Sequence, residues 1–188
     1  MENNLSVRAF VCVSLPESVV GEVAGFVDGL RGFAGFRWVS RDQLHVTLKF
    51  LGDVSPGQVS RLDTNFSRLG DVRPFAIKTS GAGGFPSLDR AKTLWLGVGE
   101  GGAQLGKLAS MVDKAAVRAG CEAERRGFHP HITIARARAE NGFGVTRELA
   151  SRLSEAPLVS WECRGFTLAR SVLAPGGAIY SPLGSYPG

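Results

Sequence analysis

Two stretches of this chain repeat one pattern, LHVTLKFLG at residues 44–52 and FHPHITIAR at residues 128–136. In each, a histidine and a threonine two residues apart alternate with aliphatic side chains: Leu44, Val46 and Leu48 in the first, Ile132 and Ile134 in the second. Successive side chains of a β-strand point to opposite faces, so His45 and Thr47 share one face, as do His131 and Thr133, while the aliphatics share the other. Each strand can dock its apolar face on a layer of helices and leave an imidazole and a hydroxyl facing open space. The two histidines stand 131 − 45 = 86 residues apart in a chain of 188. That separation predicts a single bilobal domain over residues 1–188, its halves related by an approximate two-fold and each supplying one His-x-Thr strand to a central cleft.

The stretches between the motifs fit this plan. RAFVCVSL, residues 8–15, is rich in β-favouring residues and stops at Pro16, after which Val19, Val23, Phe26 and Leu30 recur at helical spacing. FRWV and the first motif strand are separated by the polar turn SRDQ. A second helix follows, with Ser55 as its cap, Pro56 in its first turn, and Val59, Leu62, Phe66 and Leu69 on its buried side. PFAIKTSG and TLWLGVG are strands joined by the loop AGGFPSLDRAK. A helix from about Ala103 to Ala119 buries Leu105, Leu108, Val112 and Ala115 and ends at Gly120. The second motif strand, a short helix near TRELASRLSEA, and strands within LVSWECRGFTLARSVL and AIYSPL complete the chain. Strands do not alternate strictly with helices, so the class is α+β with antiparallel or mixed sheets rather than a doubly wound parallel sheet.

Composition bounds the function. With 44% hydrophobic and 21% charged residues the chain is neither disordered nor membrane-like, and no run approaches the roughly 20 apolar residues needed to cross a bilayer. The net charge of +5 favours an anionic partner such as a nucleotide or RNA. Cys12, Cys121 and Cys163 are odd in number and have no C-x-x-C spacing, which argues for reduced thiols. Together with an acidic, Asn-rich start that does not resemble a secretory leader, they predict a cytoplasmic protein.

Two facing imidazoles suit a reaction in which one group takes a proton and another gives one. An unperturbed histidine titrates near pH 6.5, so one ring can be neutral while the other is charged. Threonine hydroxyls beside them can donate to non-bridging oxygens as charge grows on a phosphorus centre. Phosphodiester chemistry fits this set, with Thr47 and Thr133 holding the phosphate. Five residues beyond each histidine stand Phe50 and Arg136, an aromatic ring suited to a nucleobase and a guanidinium suited to a phosphate. Strict alternation turns both away from the cleft, so a role for them requires each strand to bulge. Two other readings remain. His45, His129 and His131 could form a three-histidine zinc site, although Pro130 is a poor strand residue and the threonines would then have no task. Alternatively, the same residues could cradle an RNA end without turnover. His129 lies outside the duplicated unit and receives no catalytic role.

The chain resembles the two-histidine phosphoesterases, specifically the bacterial and archaeal RNA 2′,3′-cyclic phosphodiesterases of the LigT type, also called 2′-5′ RNA ligases. The likeness rests on RAFVCVSLP, RWVSRDQLHVTLKFLGDV, GGFPSLDRAKTLWLGV, GFHPHITIAR and FTLARSVLAPGGAIYSPL, spread almost end to end. The resemblance implies a bilobal fold with an open cleft and hydrolysis of a terminal 2′,3′-cyclic phosphate to a 2′-phosphate without metal or other cofactor. It also implies a reverse reaction that joins ends through a 2′,5′ linkage. On the residues alone either histidine can play either part; by the resemblance His45 is the general acid on O3′ and His131 the general base on water. Thr47, Thr133 and Arg136 bind phosphate and Phe50 is a platform for a base. The implied partners are RNA 3′ ends bearing a cyclic phosphate, or nucleotide analogues, met by a monomer away from membranes. Superfamily relatives acting on 2′,5′-linked oligonucleotides or small cyclic nucleotides keep those substrates as alternatives.

Overall fold

A single residue, Arg164, separates two strands that pair at opposite ends of the same sheet, and this short link dictates the shape of the molecule. The computed structural model describes residues 6–175 and 177–187. In chain order the elements are β1 (Val7–Ser14), α1 (Glu17–Asp28), β2 (Phe36–Trp38), β3 (His45–Val54), α2 (Pro56–Ser67), β4 (Phe75–Phe85), β5 (Thr93–Val98), α3 (Gly102–Arg118), β6 (His131–Ala137), α4 (Arg147–Leu153), β7 (Ser160–Cys163), β8 (Gly165–Ala174) and β9 (Gly177–Pro187). Short 3-10 turns cover Arg41–Gln43 and Leu88–Arg90. The strands lie in the order β7-β4-β5-β6-β3-β1-β8-β9, with β2 on β6, and every pairing among the described residues is antiparallel.

From β7 to β8 is six steps along that order, about 29 Å if the sheet were flat, yet two peptide units span at most about 7 Å. The sheet must curl until its ends approach. The corner is in β4, whose first half pairs with β7 and whose second half pairs with β5 across a register break between Thr79 and Ala82. Gly81 supplies the positive φ of +105° at that break.

The helices cover one face of the curled sheet, and the larger hydrophobic core lies beneath them. β1 shows the division: Ala9, Val11 and Val13 belong to this core, whereas Phe10 and Cys12 join Ala169 in a small cluster on the open face. α3 packs on β3 and α2, and α4 on β4. The expected helix contacts are present: Leu105, Leu108, Val112 and Ala115 are buried on α3, and Leu62 and Phe66 on α2. Ser55 caps α2 through a reciprocal pair with Gln58, in which the Ser55 hydroxyl accepts the Gln58 N–H at 3.3 Å and the Ser55 N–H donates to Gln58 Oε1 at 3.0 Å. Gly120, at φ +90°, follows the end of α3.

One connection departs from the sequence reading. Part of AGGFPSLDRAK, expected as loop, continues β4 through Phe85. The stretch pairs with β5, Gly83 opposite Trp95 and Phe85 opposite Thr93, and the Trp95 indole lies across Gly83 so closely that a Cβ there would stand 2.5 Å from Trp95 Cζ2. A glycine reads as a turn signal in sequence; here it makes room for a ring. Gly83→Ala should therefore displace the indole and cost about 1–3 kcal/mol, which denaturant melts of the two proteins would register.

Candidate active site

Neighbouring strands bring the two motifs together. β3 and β6 meet with Val46 opposite Ile132, both fully buried. The histidines and threonines of both strands therefore turn to the open face. Thr47 lines the same cavity as His131 and Thr133, a space of about 420 Å³. His45 lines an adjoining cavity of about 370 Å³, and Phe50 and Arg136 border both.

A bulge in each strand decides which side chains reach this space. On β3, Thr47 pairs with Cys12 and Lys49 with Val11, leaving Leu48 as the extra residue. On β6, Thr133 pairs with Trp95 and Ala135 with Leu94, leaving Ile134 extra. Each extra residue reverses the alternation beyond it. Phe50 and Arg136 return to the cleft face, while Lys49 and Ala135 turn towards the helices. Phe50 is 56% exposed and so is no part of the core.

Each imidazole is held by the carbonyl two residues before it. His45 Nδ1 donates to Gln43 O at 2.7 Å, and His131 Nδ1 donates to His129 O at 2.7 Å. With Nδ1 carrying the proton, Nε2 of a neutral ring is left as the acceptor. At His45 that acceptor is 3.0 Å from Thr47 Oγ1, whose hydroxyl donates to it. Gln43 is itself fixed at both ends: its Oε1 accepts Ser40 N–H at 3.0 Å and its Nε2 donates to Ala178 O of β9 at 2.8 Å. The polar turn SRDQ is thus a bracket for the first histidine.

Aromatic rings wall in both imidazoles. Phe10 of β1 and Tyr180 of β9 lie 5.0 and 5.3 Å from the His45 ring centre, and Phe85 of β4 and Trp95 of β5 lie 5.1 and 6.4 Å from that of His131. Burial removes the water that would stabilise an imidazolium. It lowers His45 to about 4, opposed by the hydrogen bond to Gln43 and assisted by the charges of Arg136 and His131. His131 is also lowered, first by burial and then, against the bond to His129, by the charges of His129 and Arg136.

The sequence reading did not single out Gln43, the four aromatic rings, Lys49, or the backbone carbonyl of His129. The ring of His129 packs against Phe85 and Trp95 at the cavity wall. Among the described residues no three His, Cys, Asp or Glu side chains gather into a metal-ligating group, and no helix is long and apolar enough to cross a membrane.

A curled antiparallel α+β sheet whose two central strands present paired His-x-Thr units is the architecture of the two-histidine phosphoesterases. The chain belongs to the 2′-5′ RNA ligase superfamily, whose family model matches residues 19–173. It is 34% identical over 182 residues to an RNA 2′,3′-cyclic phosphodiesterase of Methanothermobacter thermautotrophicus, covering 95% of this chain and 97% of the relative. It is likewise 34% identical over 178 residues to an RNA 2′,3′-cyclic phosphodiesterase of Escherichia coli, covering 94% and 93%. The crystal structure of E. coli LigT complexed with 3′-AMP superposes with a TM-score of 0.79 at 28% identity, covering 97% of this chain and 98% of that one.

The low proton affinity of His45 has a stability consequence. Between pH 6.5 and about 4 the unfolded chain binds a proton at this residue that the folded chain does not, so stability is complete above 6.5 and falls as pH drops through that window. The expected loss is on the order of 2–3 kcal/mol. Denaturant melts at pH 7 and pH 4.5 would show it, and His45→Gln, which cannot titrate, should show a smaller difference.

Proposed function

We propose that this chain hydrolyses the 2′,3′-cyclic phosphate at RNA 3′ ends to a 2′-phosphomonoester by acid–base catalysis between His45 and His131, without a metal. The observation that carries the reading is the matched pair of imidazoles. Each has Nδ1 tied to the carbonyl two residues back; His131 lines a cavity with Thr47, Thr133 and Arg136, and His45, bonded to Thr47, lines the adjoining one, which Arg136 also borders. His131 Nε2 takes a proton from the attacking water as its oxygen bonds to phosphorus, the P–O3′ bond breaks, and His45 Nε2–H supplies the proton that O3′ needs. Thr47 and Thr133 donate to the non-bridging oxygens, Arg136 offsets the growing charge, and Phe50 stacks on the terminal base. Run in the same direction with a 5′-hydroxyl in place of water, the same steps make a 2′,5′ linkage: the P–O5′ bond forms as P–O3′ breaks.

In this reading the two halves of the sheet act as lobes of one domain spanning residues 1–188, and the protein works as a cytoplasmic monomer. The free thiols of Cys12, Cys121 and Cys163 and the net charge of +5 support the compartment and the anionic partner. The names of the curated relatives favour RNA cyclic phosphates over 2′,5′-linked oligonucleotides or small cyclic nucleotides.

The test is a defined oligonucleotide ending in a 2′,3′-cyclic phosphate. A 2′-monoester should accumulate, with or without a chelator. His45→Ala and His131→Ala should each lower kcat/KM by about 10²–10⁴ while leaving the circular dichroism unchanged. A 3′-monoester product, or full turnover in either variant, would overturn the assignment; binding with no product in the unaltered protein would leave an RNA-end binding module.

The depressed proton affinities add a second expectation. A bound cyclic phosphate is an anion, and an anion beside an imidazole favours the imidazolium. The apparent pKa values governing kcat, which report the complex, should lie above those governing kcat/KM, which report the free enzyme. Rate profiles from pH 4 to pH 9 check this.

A further inference from the structure

The two motif strands differ in kind at the fourth position after the histidine, which is Ala135 in β6 and Lys49 in β3. Both residues are turned to the helix side by their bulges and both are buried, Lys49 to 4% exposure. A methyl group suits that place. An ammonium there loses several kcal/mol of hydration unless its charge and its protons are matched, and the matching is specific. Lys49 Nζ donates to Asp113 Oδ1 of α3 at 2.6 Å and to Glu122 O at 2.8 Å. The same Asp113 oxygen accepts Glu124 N–H at 3.0 Å.

Those bonds hold the middle of a segment that lacks regular secondary structure. No helix or strand covers residues 121–130; backbone bonds hold its two ends, Cys121 N–H to Ala116 O at 3.0 Å and Val98 N–H to Pro130 O at 3.2 Å, so side-chain anchors must set the stretch between them. Beyond the anchor the Glu124 carboxylate gathers the N–H groups of Arg125 and Arg126 and the Arg126 guanidinium, folding the segment onto itself. The chain then runs through Phe128 and His129, which wall the 420 Å³ cavity, and His129 O holds His131 Nδ1.

We propose that Lys49 is a positioning residue: with Asp113 it ties the 121–128 segment to the strand carrying His45, and through that segment sets the carbonyl that orients His131. A neutral, well-packed pair in its place would leave the core as stable, since buried ion pairs are often replaceable without loss. What the pair contributes is the register between one motif and the backbone that steers the other.

Titratable and aromatic groups surround the cavity that His131 lines. The segment lines this cavity with Glu124, Arg126 and His129, β6 with Arg136, and β4 and β5 with Phe85 and Thr93, while Trp95 lies beside the His131 ring. Lys49 of β3 reaches the cavity edge from beneath with its ammonium on Asp113, and His45 lies in the adjoining cavity. The experiment is a histidine-selective NMR titration, with steady-state kinetics on a short oligonucleotide ending in a cyclic phosphate, for Lys49→Met, Asp113→Leu and the double variant. Loosening the segment admits water around His131, which raises its titration midpoint, and weakens the His129 carbonyl bond, which lowers it; burial is the larger of the two influences, so the midpoint rises towards the ordinary value in all three. Charge alone would do otherwise: deleting the Asp113 carboxylate would lower the midpoint, and deleting both charges would leave it in place. The double variant, which strands no buried charge, should keep its melting temperature within a few degrees and still lose about tenfold to a hundredfold in kcat, with KM changing less.

An unmoved His131 midpoint together with unaltered kcat in the double variant would make Lys49 an ordinary core ion pair. A lowered midpoint in Asp113→Leu would replace positioning with simple electrostatics. The kinetic arm rests on the proposed role of His131, but the titration needs no substrate, so a failure of the clamp and a failure of the phosphodiesterase reading give different results.

Discussion

One extra residue in each of two strands decides which side chains face the cleft. Without the bulge at Leu48, alternation would place Lys49 beside His45 and Thr47 and send Phe50 into the core; without the bulge at Ile134, Arg136 would face the helices. A bulge breaks local pairing and leaves one residue without a partner, a small loss on strands anchored by fully buried Val46, Ile132 and Ile134. In return the cleft gains a ring and a guanidinium at matched places, and the core gains either a methyl group or an anchored ammonium. The two halves use the same device on side chains of different chemistry, which makes the cleft symmetrical in layout and asymmetrical in charge.

The curl of the sheet determines the environment in which those side chains act. Because Arg164 alone joins β7 to β8, the strand ends are drawn together and rings from β1, β4, β5 and β9 are carried in around the two central strands. On a flat sheet the same histidines would stand in water and titrate near 6.5. Walled by aromatics, they lose hydration and their charged forms become costly. The link between topology and proton affinity is therefore direct: a one-residue connection far from the motifs helps to set the protonation state within them.

Much of this was legible in the sequence because it depends on short-range periodicity. The alternation in LHVTLKFLG and HITIAR, the helical spacing through Leu105, Leu108 and Val112, and the cap Ser55-Pro56 all encode their elements locally. The bulges were legible only as a requirement. Leu48 and Ile134 are ordinary strand residues, with no glycine or proline to mark where alternation breaks. The aromatic walls were hidden because Phe10, Phe85, Trp95 and Tyr180 are brought in by pairing between strands distant in sequence. Gly83 misled for a related reason, since its task is to yield space to a ring on the neighbouring strand. Nothing near Lys49 in sequence marks it as buried, because its partner Asp113 stands 64 residues away.

The two imidazoles share an anchor but not an environment, and the difference bears on how the proposed roles divide. His45 lies between Phe10 and Tyr180, with Nε2 engaged by Thr47, and has its proton affinity lowered to about 4. A general acid so weakly basic is unprotonated at neutral pH in the empty cleft. Under the proposed assignment it acquires its proton only when a phosphate anion arrives to stabilise the imidazolium, and Thr47 Oγ1 is then free to turn from Nε2 to a phosphate oxygen. A cationic Arg136 keeps the empty site poised against premature protonation, and the same charge draws in the anion that reverses the balance. Substrate binding and arming of the acid become one electrostatic event, so a neutral ligand of the same shape could fill the cleft without preparing it for proton transfer.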